Sequence, residues 1–374
     1  MIKSVLGKIV YNKHIRSCAK IICHWFPSLA VKYSYLWEQR VVYRKAMQAL
    51  NSGNPLPEGA SREDYLKVFN AQKISWIEYY GCYRFYNKEK TEAEKKEFLS
   101  KLQINALSMK LRMMFPEYDN KPMFDNKEKF LAHITSLGMC QRRWLYAPDA
   151  SLEEFSDMVR TMDCIVKPHD ESCGEGVFKV DKQQGPQVKE LYEKCIADKM
   201  LVEECMRNCD EVRAFHPASL NTLRVVTVAY GGKAQIVAAV IRMGRGGSVI
   251  DNAMAGGFYA NVDIETGIIN TDGIKSGITS EGYSITVHPD SGIHIKGFQL
   301  PRWPDLVEFV LSAARQSKSI LTGWDVVLTD KGNFEFVEAN SRPDPVLIQA
   351  PLQRGMRTRL LNMLSEMTGR RITL

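Results

Sequence analysis

Trp324-Asp-Val-Val-Leu-Thr-Asp-Lys-Gly-Asn-Phe-Glu-Phe-Val-Glu-Ala-Asn340 reads as two short strands joined by a turn. A two-residue turn at Lys331-Gly332 places Asp325 opposite Glu338, with Cβ atoms about 5 Å apart. Asn340 lies two residues further along, on the same face. Like charges facing each other across a ladder cost up to about 1 kcal/mol. Two carboxylates and an amide oxygen converging between apolar strands therefore ask for a cation. A small set of hard oxygen ligands suits Mg²⁺ bridging to a polyphosphate. In this register Phe334 and Phe336 share the acidic face and partly bury it. Two surface acids on a solvated hairpin are the alternative, and a one-residue bulge would offset the pair.

Three further stretches bear on anion binding. In Cys164-Ile-Val-Lys-Pro-His-Asp-Glu-Ser-Cys-Gly-Glu-Gly-Val-Phe-Lys-Val180, Lys167 ends one strand and a Gly-containing loop, Ser172 to Gly176, leads into the next. Glycines let backbone N–H groups turn toward an anion. No Gly-Lys-Ser/Thr ends the loop and no helix follows, so it is not a P-loop, and an ordinary hairpin loop is the plain alternative. Leu201-Val-Glu-Glu-Cys-Met206 puts acids and free backbone groups where a strand ends, suited to reading an adenine and its ribose, with Asp210 or Glu211 just beyond. Asn221-Thr-Leu-Arg224 sets a cation at the start of a buried strand, where it needs acidic neighbours or a phosphate.

The 374 residues are 45% apolar and 25% charged, which fits a folded chain of two or three units rather than disorder or a coiled coil. No apolar run reaches the ~20 residues of a spanning helix, and no signal peptide is read. Nine scattered cysteines without a C-x-x-C pair point to reduced thiols and a cytoplasmic protein. Of the net charge of +7, residues 1–50 carry +8 (nine Lys/Arg against Glu38), so the remainder sums to −1. That distribution excludes the spread basic surface of a nucleic-acid binder. Ile15, Cys18, Ile22, Trp25 and Leu29 recur at helical spacing within this segment, which suits an anionic membrane face or a packed helical layer.

Helical patterning dominates up to residue 160. Thr91 and Glu94 form a capping box before an apolar run through Leu111, Asp125 and Glu128 cap a second helix, and Ser151 with Glu154 opens a third. Strands follow at 164–166, 177–180, 200–203, 223–230 and 234–241, and near Phe258 and Ile268. A helix over 304–321 precedes the hairpin, and a C-terminal helix closes the chain. The class is α+β. The expected organisation is a helical region 1–115, a helical segment 116–160, a small subdomain 161–215 and a large subdomain 216–374.

Taken in order, the lysine, the Gly-rich hairpin, the Glu-Glu hinge, Asn-Thr-Leu-Arg and Asp…Glu-x-Asn resemble the ATP-grasp superfamily. The wording is closest to the sugar-transfer-associated ATP-grasp group, through Pro217-Ala-Ser-Leu-Asn-Thr-Leu-Arg-Val225, Gly256-Gly-Phe258, His288-Pro-Asp-Ser-Gly292, Leu300-Pro-Arg-Trp303 and Val337-Glu-Ala-Asn340. The likeness covers roughly residues 120–360. It implies ATP held between two antiparallel sheets, with Lys127 and Lys167 on the phosphates. Ser172, Gly174 and Gly176 would form a lid, and Glu203, Glu204 and Met206 the adenine hinge. Asp210 or Glu211 would hold the ribose and Arg224 would face the reacting phosphate. Asp325, Glu338 and Asn340 would hold Mg²⁺. The sequence departs from the pattern at Gly138-Met-Cys140, which lacks a proline, and at Cys173 in the lid.

The same resemblance implies a carboxylate–amine ligase that activates its acid as an acylphosphate. Arg242 is the candidate oxyanion donor, and His288 the candidate acceptor-holder or base. A sugar carboxylate of a surface polysaccharide is the expected acid and an amino compound its partner. The alternatives are phosphoryl transfer to a sugar hydroxyl and a non-catalytic ATP-binding scaffold docked on a membrane through residues 1–50.

Overall fold

The structure, a computed structural model, describes residues 38–45, 47–48, 59, 61–87, 89–170, 176–182, 187–246, 257–275 and 284–374. These fall into two compact units. One runs up to Asp119 and includes Asp344–Leu374; the other spans Asn120–Pro343.

The first unit is helical. Thr91 and Glu94 do form a capping box, but the helix they open, Glu92–Glu97, ends after six residues. Phe98 turns extended, and a second box at Ser100 and Gln103 starts Lys101–Met114. The apolar run read as one helix is thus two, because Ser100 recaptures the free N–H groups of a new first turn. Gln349 lies between the helices Pro345–Gln349 and Lys101–Met114 with its amide saturated. Its Oε1 accepts from Leu99 N (2.9 Å), and its Nε2 donates to Tyr83 Oη and Leu99 O (both 2.9 Å). The last 31 residues therefore belong with the N-terminal helices, not with the large subdomain where the sequence reading put them. Asn105 Nδ2 donates to Glu38 Oε2 at 3.0 Å, and the Tyr43 ring lies 5.7 Å from Phe69. The described end of the basic segment packs on this unit. Ile15, Cys18, Ile22, Trp25 and Leu29 lie outside the described residues. Among the described residues no helix is long and apolar enough to cross a membrane.

The second unit holds two antiparallel sheets. The small one has the order β1-β4-β2-β3, from Trp144–Tyr146 (β1), Cys164–Pro168 (β2), Phe178–Val180 (β3) and Met200–Glu204 (β4). β1 was not anticipated: three residues are too few to show alternation, and pairing with β4 alone makes them a strand. The small subdomain accordingly starts before residue 161. One face of this sheet packs on the helices Leu152–Thr161 and Val188–Ala197 through Phe155, Met158, Val166 and Val202. The capping box of Ser151 and Glu154 is present.

The large sheet has the order β11-β10-β5-β6-β7-β8-β9. Its strands are Thr222–Tyr230 (β5), Lys233–Met243 (β6), Phe258–Val262 (β7), Gly273–Lys275 (β8), Ser284–Ile285 (β9), Leu321–Leu328 (β10) and Phe334–Asn340 (β11). Near Ile268 there are only isolated bridges. One face carries Leu223, Val225, Ile241, Trp324, Val326 and Phe336 into the core, where the helices Lys127–Ser136 and Trp303–Gln316 add Phe130, Ile134, Leu306 and Val310. Phe309 stacks on Phe336 with centroids 4.6 Å apart. By strand alternation Arg224, Arg242 and Asp325 take the opposite face.

Candidate active site

The β10–β11 turn is one residue longer than expected. Thr329 N donates to Asn333 O (2.9 Å), so Asp330, Lys331 and Gly332 make a three-residue loop with Gly332 at φ +77°. That loop pairs Leu328 with Phe334 and Val326 with Phe336, which would set Asp325 against Val337. A bulge between Asp325 and Val326 takes up the extra residue and restores the Asp325–Glu338 pair. The bulge also changes the faces. Phe334 and Phe336 enter the core with Ala339, so Glu338 does not share their face as the sequence reading had it.

The cation that the two carboxylates ask for comes first from the protein. Arg224 stands opposite Asp325 on β5 and grips it with two nitrogens, Nε on Oδ1 and Nη2 on Oδ2 (2.8 Å). Arg242 Nη2 reaches Oδ2 at 2.9 Å, while its Nε donates to Thr222 Oγ1 at 2.8 Å. Burial alone would raise the Asp325 pKa, but the charges of Arg224 and Arg242 overcome it and hold the carboxyl at about 2. Glu338 behaves in the opposite way: burial, then the Asp325 charge, raise its pKa. Its side chain is 38% exposed, with Arg224 Nη2 at 3.7 Å. Asn340 Nδ2 donates to Glu338 Oε1 at 3.0 Å. Asp325 is thus buried under guanidinium, while Glu338 and Asn340 present the accessible hard oxygens. That donor set fits a hard cation of Mg²⁺ type.

The lysines come from the small sheet and the adjoining helix. Lys127 opens the helix Lys127–Ser136; the N-cap is Asn126, not Asp125 as read from sequence, its side chain accepting from Lys129 N at 2.9 Å. Lys127 N donates to His169 O (2.8 Å) and its Nζ to Pro168 O (3.3 Å), which ties it to the end of β2. Burial and the neighbouring Lys167 charge lower its pKa, and Glu338 and Glu203 offset part of that. Lys167 pairs with Glu203 Oε1. Gly176 lies at φ +72°, where a Cβ would meet Pro168 Cγ at 2.9 Å, so only glycine fits. Ser172, Cys173 and Gly174 lie outside the described residues.

Sequence reasoning missed Arg142 and Glu335. Arg142, 5% exposed, donates from Nε to Glu203 Oε2 (2.8 Å) and from Nη1 to Glu335 Oε2 (2.7 Å). Glu335 Oε1 accepts from Gln141 N, Arg142 N and Asn333 Nδ2 at 2.7, 3.0 and 2.9 Å. Burial raises the Glu203 pKa, and Lys167 and Arg142 more than reverse it. Nothing local marks Arg142, since Gln-Arg-Arg after a helix reads as a solvated loop.

Other predicted residues fall elsewhere. Glu204 turns to the hairpin tip, pairing with Lys331, and its Oε2 accepts from Arg143 N at 3.3 Å. Met206 is half-buried beyond the end of β4, and Asp210 and Glu211 are both exposed in the short helix Asp210–Arg213. His288 has no free nitrogen for an acceptor. Its Nε2 lies 2.9 Å from Gly244 O and its Nδ1 accepts from Asp290 N (3.4 Å), while burial lowers its pKa and keeps it neutral. It holds the Gly244 backbone.

No curated protein matches the sequence. Among solved structures, the ATP-grasp ligase PsnB complexed with a phosphomimetic variant of minimal precursor, Mg and ADP is 13% identical with a TM-score of 0.40, over 67% of this chain and 60% of that one. The D-alanyl-alanine synthetase A from Vibrio cholerae O1 biovar eltor str. N16961 is 15% identical with a TM-score of 0.40, over 66% and 64%. The L-amino acid ligase from Bacillus licheniformis is 12% identical with a TM-score of 0.36, over 69% and 53%. This chain spans less than two thirds of the length of each. The family described as sugar-transfer associated ATP-grasp matches residues 107–365, which is most of the sequence, and the chain belongs to that family.

Proposed function

We propose that the protein is an ATP- and Mg²⁺-dependent carboxylate–amine ligase acting through an acylphosphate. The observation that carries this reading is the convergence, within one unit, of Lys127 and Lys167 with the Arg224–Asp325–Arg242 cluster and the oxygens of Glu338 and Asn340. A carboxylate does not condense with an amine in neutral water because its oxygen is a very poor leaving group. When its oxygen takes the γ-phosphoryl group, the β–γ bridging P–O bond breaks and ADP departs. Nitrogen then attacks the acyl carbon, the C–O bond to phosphate breaks, and the departing phosphate can take the nitrogen's proton. No nucleophilic side chain is required; positioning and charge neutralisation suffice.

Lys127 and Lys167 hold the phosphates, Gly176 ends the lid over them, and the backbone of Glu203 to Met206 receives the base, with Asp210 or Glu211 at the ribose. Arg224 meets the transferred group. Arg242, fixed by Thr222 and Asp325, faces the oxygen that becomes anionic during amine attack. Glu338 and Asn340, with Asp325 beneath them, would hold Mg²⁺, which supplies charge neutralisation across the phosphates. The family description favours a sugar carboxylate as the acid. The test is ADP and phosphate release against uronic acids paired with amino acids. Stoichiometric amide supports the ligase, phosphosugar establishes a kinase instead, and nucleotide binding without turnover establishes a scaffold.

Glu338 gives a pH prediction. Its raised pKa makes a proton compete with Mg²⁺ for the carboxylate. The Mg²⁺ concentration for half-maximal turnover should rise as pH falls through that pKa, and Glu338→Gln should lose both this dependence and most turnover. A pH-independent Mg²⁺ requirement in the native protein would remove Glu338 from the ligand set.

A further inference from the structure

We propose that Arg142 is a positioning residue that keeps Lys167 available to a nucleotide phosphate, by taking half of Glu203 and anchoring it to β11 through Glu335. The inference rests on the ATP-site reading above. Glu203 is 3% exposed and has two oxygens, one on Lys167 and the other 2.8 Å from Arg142 Nε. With Lys167 as its only partner, a buried carboxylate would hold the ammonium as a closed pair and blunt its pull on an incoming anion.

The arrangement is built rather than incidental. Arg142 is held at its backbone N as well as at Nη1 by the same carboxylate of Glu335, which lies 193 residues away. Glu203 belongs to the small sheet and Glu335 to the large one, so the guanidinium spans the two layers that contribute to the phosphate site. Two different nitrogens make the two bonds, and the planar fork fixes both directions and their spacing, which a compact ammonium on a flexible stem does not. The third nitrogen, Nη2, is buried without a hydrogen-bond partner. Arg142, Glu204, Cys205, Met206 and Glu335 also line a cavity of about 420 Å³ beside the hinge. A change at Arg142 is therefore felt at both the phosphate and the hinge ends of the site.

The test uses the full chain, Arg142→Lys and Glu335→Gln, with circular dichroism to establish folding and AMP-PNP binding followed by calorimetry. Arg142→Lys should weaken AMP-PNP binding and raise KM for ATP by about tenfold or more, with kcat changed by less than about threefold. Glu335→Gln keeps the Arg142–Glu203 bond and loses the anchor, so it should shift both in the same direction by a smaller factor. It also decides the matter if Arg142→Lys does not fold. Unchanged KM and affinity in the folded variants, with only a lower Tm, would overturn the proposal and leave Arg142 as structural glue. A native chain that binds no AMP-PNP would instead remove the ATP-site reading itself, and this proposal with it.

Discussion

Asp325→Asn should lose about 3–5 kcal/mol of stability, because removing one partner of a buried ion pair leaves the others uncompensated. The partners are Arg224 and Arg242, both aimed at a carboxylate with no solvent exposure. The pH dependence should agree. A carboxyl displaced from 3.8 to about 2 contributes stability that is fully present above its unfolded pKa. That contribution is lost as pH falls through the folded value, with a full amplitude of about 2–3 kcal/mol. Denaturant unfolding of the native chain and Asp325→Asn across this window checks both signs. The native chain should lose stability between about pH 4 and pH 2, whereas the asparagine variant, already weakened, should lack this part of the loss. Equal stability of the two chains at neutral pH would show that the guanidiniums do not depend on Asp325.

Arg224→Lys tests the chemistry with less disturbance to the fold, since a cation remains beside Asp325. The expected loss is about 10²–10³ in kcat/KM for ATP turnover. A guanidinium can bond Asp325 with two nitrogens and still lie 3.7 Å from Glu338. An ammonium is a compact, strongly hydrated point charge that cannot offer Asp325 a two-nitrogen fork in fixed geometry. Steady-state ADP release by the folded variant measures this. Near-native kcat/KM would reassign Arg224 from the transferred phosphate to a purely structural pair with Asp325.

Much of the second unit is legible in the sequence alone. The β-branched run in β5, the paired capping residues at Ser151 and Glu154, and the order of motifs from Lys127 to Asn340 are all local in sequence. Even the Asp325–Glu338 pair was found, though through a two-residue turn that the chain does not use. A longer loop and a bulge, each worth one residue, cancel. The cancellation left the pair correct and the aromatic face wrong, because side-chain direction alternates with every residue and a bulge interrupts that count.

Alternation, capping and motif order are set by neighbours along the chain, so the sequence by itself determined the strands of the hairpin, the α+β class and the identity of the charged groups. Which charge meets which was decided only by the tertiary structure. Arg142 finds Glu203 61 residues away and Glu335 193 residues away, Arg224 finds Asp325 across 101, and His288 reaches back 44 to Gly244. The reason is physical: a buried charge must be neutralised by whatever strand order places beside it. Strand order is fixed by the packing of whole sheets, so no window of neighbouring residues contains it.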